Sequence, residues 1–204
     1  MPDLSHEAAL RKEGFQRIAG IDEAGRGPLA GPVSVAVAVL PESYKNSVLN
    51  DSKVLSENIR QKLYNEIIED DRIVWALEMV DASEIDRINI LQATWVGMRR
   101  AFLKLEPPAE IALIDGKPIQ GFPAEHRALV KGDSLSLSIA AASVIAKVER
   151  DRLMREYAEM YPEYGFERHK GYGTKAHLEA LQKYGPCPIH RRSFGPVAKE
   201  LDLS

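Results

Sequence analysis

The sequence holds one cysteine, Cys187, which excludes an internal disulfide and any cysteine-rich zinc site. Flanked by Pro186 and Pro188, that residue reads most simply as a small packed side chain. Long apolar runs are also missing: the longest, Val33 to Leu40, falls far short of the ~18 residues a membrane-spanning helix needs. The N-terminus carries Asp3, Glu7, Arg11, Lys12 and Glu13 where a signal peptide has its apolar core, so a cytoplasmic protein with no membrane contact is expected. There is no internal repeat, no low-complexity tract and no linker between two cores. The formal charge is small, −3 at pH 7, but uneven. Between Phe166 and Arg192, six basic residues stand against two acidic ones, with His169, His177 and His190 interspersed. Such a basic patch suits nucleic acid and equally suits a solvated surface, so alone it decides nothing.

What is present is the composition of an ordinary soluble domain, 204 residues with 45% hydrophobic and 28% charged. Arg17 to Glu23 and the alternating Val33 to Leu40 predict two strands joined by a Gly/Pro connection. Ser56 is placed to cap a helix through Glu69, and Arg72 to Val80 returns to strand character. Leu91, Trp95, Met98, Phe102 and Leu105 predict a helix over Ile88 to Leu105, ended by Pro107-Pro108. Ile111 to Ile114 and Leu129-Val130 read as short strands. Ser134 or Ser136 then opens a long helical stretch to about Tyr161, in one or two pieces, and Ala140-Ala141-Ala142 within it suits close packing on a sheet. Pro162 to Gly173 reads as loop, Thr174 caps a helix ending near Tyr184, and an irregular tail follows. The order predicts an α/β fold: about five strands in a mixed sheet flanked by helices. Residues 1–160 form the expected core, and 161–204 a small helical appendage carrying the basic patch.

Three acidic positions adjoin apolar runs: Asp22-Glu23, Asp115 and Asp133. Ligands of open α/β sheets bind beyond the carboxyl ends of strands, where acids from separate strands converge. Converging carboxylates repel, and hard cations such as Mg²⁺ or Mn²⁺ neutralise them. Taken singly, each acid has an ordinary explanation as a turn residue or a helix cap. Successive strand residues face opposite sides of a sheet, so for Asp22 and Glu23 to share one site the strand must end there, with Gly25 and Gly27 letting the chain turn.

The following string, Gly25-Arg26-Gly27-Pro28-Leu29-Ala30-Gly31-Pro32, is too rich in proline for a dinucleotide-binding turn and lacks the Gly-Lys-Ser/Thr of a phosphate-binding loop. Gly20 to Val33 closely resembles the opening motif of type 2 ribonucleases H, specifically of bacterial ribonuclease HII. Asp51-Ser52-Lys53, Ile114-Asp115-Gly116, Lys131-Gly132-Asp133, the block from Ala140 to Asp151, and His169 to Thr174 resemble that family's later motifs in the same order. The resemblance spans about residues 17 to 195. Ribonuclease HIII fits less well because its glycine motif lacks the central arginine.

The resemblance implies a ribonuclease H-like fold and metal-dependent endonucleolytic cleavage of RNA paired with or joined to DNA. It implies four catalytic and metal-binding carboxylates, Asp22, Glu23, Asp115 and Asp133, holding two Mg²⁺ or Mn²⁺ ions, with Asp22 as the expected bridging ligand. It further implies that Gly25, Arg26, Gly27 and Tyr172 read a ribo-to-deoxyribonucleotide junction, the tyrosine ring lying against the sugar of the following deoxyribonucleotide. Lys53, Ser143, Lys147, Lys170, Arg191 and Arg192 are candidates for further substrate contacts. Five histidines in a chain of this size need no special role. The expected substrates are RNA-DNA hybrids and duplex DNA with embedded ribonucleotides. The tail shows no clear clamp-binding motif, and a monomer is expected. Two other readings are a junction resolvase of the same fold, which has no need of Gly25-Arg26-Gly27 with Tyr172, and an inactive hybrid-binding module, which would have lost one or more of the acids.

Overall fold

The computed structural model describes residues 1–203. Five strands form one sheet: β1 (Ile18–Ala24), β2 (Val33–Val39), β3 (Val74–Val80), β4 (Ile111–Asp115) and β5 (Glu125–Leu129), in the order β3-β2-β1-β4-β5. β1 pairs antiparallel with β2 and parallel with β4; β2 and β3 are antiparallel, β4 and β5 parallel. The mixed sheet expected from the sequence is present.

Alternation along the strands sorts side chains to two faces. Val35 and Val37, with Ala19 and Ile21, pack on Met98, Ala101 and Phe102 of helix α3 (Ala82–Leu103). Ala36 and Ala38 face the other way, onto α2 (Glu57–Glu69) and α4 (Leu137–Met160). The alanine run at 140–142 is fully buried, as close packing requires. At Gly20 the approach is closer still: a Cβ there would lie 2.1 Å from the backbone carbon of Ser138.

Several elements differ from the sequence reading. Helix α1 (Ser5–Lys12) precedes the sheet. Its buried Glu7 accepts hydrogen bonds from the Ser136 hydroxyl and the Ser138 amide, at the start of α4. α3 begins at Ala82, capped by Asp81, and is interrupted at Asn89, where φ is 67°. The expected helix from Ile88 therefore corresponds to its second part. α4 is one uninterrupted helix capped by Ser136. Within the stretch expected as loop lies the short α5 (Phe166–His169), followed by α6 (Lys175–Tyr184) capped by Thr174. The tail expected to be irregular ends in α7 (Gly195–Leu203), whose Val197 packs fully buried with Leu29 and Leu181. No helix among the described residues is long and apolar enough to cross a membrane.

Candidate active site

β1 does not end at Asp22. Its pairing with β2 continues to Ala24, opposite Ser34, whereas its pairing with β4 stops at Ile21, opposite Ile114. The sheet thus opens at the carboxyl end of β4, and Asp22 and Glu23 project from an intact strand to opposite faces. This corrects the expectation that the strand ends there; the continuing β2 ladder holds both residues in regular alternation.

Asp22 takes the α4 face, almost fully buried. Asp115 is the last residue of β4, and its Oδ1 accepts the Gly132 amide at 2.6 Å. Asp133 sits in a short 3-10 turn, Gly132–Ser134, entered through left-handed Lys131. One carboxylate oxygen from each of these three aspartates lies within 4.8 Å of the others. Glu23, on the α3 face, is outside that group; it faces Arg26, whose Nη1 is 3.3 Å from Oε1. Glu23 and Asp115 together border a recess of about 400 Å³ floored by Trp95, Met98 and Ile119.

The electrostatics are those of acids crowded together, offset only in part by Arg26 and Lys53. Burial, then the charges of Glu23 and Asp115, push the Asp22 carboxyl well above its ordinary value. Burial raises Glu23 against the lowering pull of Arg26, and burial with Asp51 and Asp115 raises Asp133. Burial works to lower the Lys53 ammonium, but Asp22, Asp51, Asp133 and Asp115 outweigh it and raise it. Asp22 Oδ1 accepts the Glu23 amide, while its buried Oδ2 has no hydrogen-bond partner. An orphaned oxygen beside two further carboxylates is an all-oxygen donor set, and it fits a hard divalent cation.

Beside the acids lies a second recess, of about 240 Å³, lined by Glu23, Gly25, Arg26, Gly27, Ser52, Lys53, Lys147 and Tyr172. Tyr172 is 46% exposed, and its ring edge lies 3.6 Å from where a Gly27 Cβ would be. Residues far apart in the chain are thus side by side. Gly25 has φ 90°, and a Cβ there would lie 1.9 Å from Arg150 Nε, so no side chain is accommodated.

Of the remaining candidates, Lys147 lines this recess and the Ser143 hydroxyl works to lower Asp22, while the others lie farther off. Ser143 is buried, its hydroxyl donating to the Ser52 hydroxyl beneath the Asp51-Ser52-Lys53 turn. Lys147 pairs with Asp151 at 2.6 Å, and burial lowers its ammonium. The Lys170 ammonium turns back to the Glu167 carbonyl. Arg192 is exposed, its amide held by Asp86. Arg191 is fully buried, so it has no open surface for a phosphate; its guanidinium donates to the carbonyls of Gly31, Arg26 and Gly25 at 2.9, 2.8 and 2.6 Å. This corrects its expected direct contact with substrate.

Nothing in the local sequence marks Arg150, whose guanidinium donates to the carbonyls of Pro32, Lys170 and Ala30. Burial lowers both guanidiniums, Arg150 to about 10 and Arg191 to about 9, so both stay charged at neutral pH. Two arginines thus hold the glycine loop to the segment bearing Tyr172. Backbone bonds from Leu29 to Gly171, Gly31 to Ile189 and Arg191 to Leu29 complete the tie.

The sequence profile of the family described as Ribonuclease HII matches residues 19–197 of this chain. Ribonuclease HII of Endomicrobium trichonymphae is 54% identical over 195 residues, covering 95% of this chain and 92% of that protein. Ribonuclease HII of Caldanaerobacter subterraneus subsp. tengcongensis is 52% identical over 189 residues, covering 93% and 78%. Among solved structures, ribonuclease H2 from Pyrococcus horikoshii OT3 superposes with a TM-score of 0.76 at 28% identity, covering 92% of this chain and 98% of that one.

Proposed function

The chain belongs to the ribonuclease HII family and is an endonuclease of the ribonuclease H type, and we propose that it cuts both the RNA strand of RNA-DNA hybrids and the 5′ side of ribonucleotides embedded in duplex DNA. The products carry 5′-phosphate and 3′-hydroxyl ends, and the role is removal of misincorporated ribonucleotides. One juxtaposition carries this reading: the recess that holds Gly25-Arg26-Gly27 against Tyr172 adjoins the three-aspartate group through Glu23 and Lys53.

Asp22, Asp115 and Asp133 would hold the metal, with Glu23 as the fourth carboxylate beside Asp115. Two Mg²⁺ or Mn²⁺ ions bound there would supply water activation at neutral pH and charge stabilisation for the leaving oxygen. The chain's own groups do the selecting. Gly25 to Gly27 bring backbone against the minor groove, where the 2′-hydroxyl marks a ribonucleotide. The Tyr172 ring lies against the next sugar, where a second 2′-hydroxyl would be crowded. Lys53 and Lys147 at the recess, with Arg192 and Lys170 farther out, neutralise phosphates without reading bases. Residues 161–204 act as the substrate-binding appendage of a core formed by 1–160, in a cytoplasmic monomer.

The test is cleavage of a labelled duplex carrying one ribonucleotide, with Mg²⁺, Mn²⁺ or chelator, beside Asp22→Asn and Tyr172→Ala. A metal-dependent cut 5′ to the ribonucleotide, lost in Asp22→Asn and less junction-selective in Tyr172→Ala, is the expected result. Activity on long hybrids alone would discard junction reading, and metal-independent cleavage would discard the carboxylate site.

A further inference from the structure

Behind Tyr172 lies a group of packed rings, Tyr164, Phe166, His177 and His190 buried and His169 half-buried. His177 is fully buried and His190 nearly so. His177 Nδ1 is 2.9 Å from the Tyr172 carbonyl oxygen, which only accepts, so Nδ1 carries the hydrogen. Its Nε2 lies 3.0 Å from Nε2 of His190. With Nδ1 protonated and the ring neutral, His177 Nε2 is the acceptor and His190 donates from Nε2. His190 Nδ1 then accepts, and it meets the Cys187 amide at 3.0 Å and the Cys187 thiol at 3.1 Å.

A third ring completes the arrangement. His169 stacks on His177 with centroids 4.5 Å apart. Its Nε2 donates to the Tyr164 carbonyl, and its Nδ1 accepts the Gly171 amide. All six ring nitrogens have partners, and one tautomer per ring satisfies them all. Burial holds all three imidazoles below their ordinary pKa, His190 at about 4, so they are neutral at neutral pH.

The chain of bonds grips the backbone on both sides of the Tyr172 side chain. The Gly171 amide is held by His169, the Gly171 carbonyl accepts from Leu29, and the Tyr172 carbonyl is held by His177. Fixing these groups fixes the direction of the Tyr172 side chain toward Gly27. We infer that His177, backed by His190 and His169, is a positioning residue for junction reading: donating from Nδ1 to the Tyr172 carbonyl, it sets selectivity for ribonucleotide junctions rather than the rate of phosphodiester hydrolysis. This rests on the reading of Tyr172 proposed above.

The test compares His177→Asn, which keeps an N–H donor at the place of Nδ1, with His177→Gln, which moves it toward the place of Nε2. Initial rates on a single-ribonucleotide duplex and on a uniform RNA-DNA hybrid give the selectivity ratio. Losing one hydrogen bond predicts a fall of about tenfold in that ratio for His177→Gln, while His177→Asn stays near the parent and hybrid cleavage stays within about twofold for both. Equal ratios in the two folded variants would overturn the assignment. Imidazole ¹⁵N spectra of the unaltered protein provide a reading that needs no variant to fold: Nδ1–H is expected for His177 and Nε2–H for His169 and His190. An Nε2–H tautomer at His177 would equally overturn it. Tyr172→Ala separates the two readings: if that variant keeps the parent ratio, Tyr172 is not the reader and the positioning role falls with it, while the spectra still decide the tautomers.

Discussion

Arg191 reaches back across the chain to the Gly25 carbonyl, 166 positions earlier, at 2.6 Å. Its donors are spent on three carbonyls of the glycine loop, so the loop's shape depends on a cation that itself has no open surface. Arg191→Lys keeps the charge but loses the planar fork, leaving buried carbonyls unpaired. A loss of roughly 3 kcal/mol in unfolding free energy is expected, with reduced cleavage at single ribonucleotides. Denaturant titration and junction assays check both; a fully stable, fully selective variant would contradict the assignment.

Asp22→Asn is expected to separate activity from stability. Asp22 is buried with two other acids close by, a costly position for a charge. The variant should lose cleavage yet, in chelator, match or exceed the parent's stability by about 1 kcal/mol. Thermal unfolding with and without Mn²⁺ checks this: added metal should stabilise the parent far more than the variant.

Acid should weaken the imidazole group before most of the fold. His190 has its pKa lowered to about 4 in the folded state by burial, then by His177, so the unfolded chain binds the proton more readily. Its contribution is complete above the ordinary histidine value and is lost as pH falls toward 4, with about 3 kcal/mol at stake by then. His190→Gln, which keeps a donor near the place of Nε2 and does not titrate there, should lose less stability than the parent between pH 6.5 and 4.5. Parallel curves for the two proteins would show that His190 is not the titrating group.

Gly20→Ala should be among the most damaging single changes. The added methyl would meet backbone of Ser138, which has no side-chain freedom with which to yield. A loss of roughly 3 kcal/mol or more is expected, with weakened metal binding as α4 is pushed away from the strand that carries Asp22. Unchanged melting and metal affinity would mean that the helix can shift without cost.

The sheet and its layers were legible because periodicity reports burial. The valine-alanine alternation of β2, and Leu63, Tyr64 and Ile67 of α2, are imprints of the faces they cover. Elements without that imprint are legible only in part: the strand expected at Leu129-Val130 is β5, which begins earlier, at Glu125, and α1 and α7 are not expected at all. Edge strand β5 carries Glu125, His126 and Arg127, and α1 is a short helix whose buried face includes the polar Glu7. In α7, Gly195-Pro196 resembles a turn, though proline is well suited to a helix's first turn. Asp22 and Asp115 are marked by the apolar runs they follow and Asp133 by the long helix it precedes, but the split between Asp22 and Glu23 depends on strand pairing that local sequence does not encode. The roles of Arg150, Arg191 and the histidines were hidden for a related reason: a buried cation or imidazole reads like a surface one until its partners are known.

The backbone ties joining residues 29–31 to 171 and 189–191 also have a kinetic meaning. Contacts between such distant segments form late, because the intervening chain must be ordered before they close. During synthesis the aspartates at 22, 115 and 133 are available well before Arg191 leaves the ribosome. A chain made as far as Asp133 therefore carries its three aspartates before it has the support that shapes the glycine loop, and that loop is held only once residues 189–191 have been made and have closed onto residues 25–31.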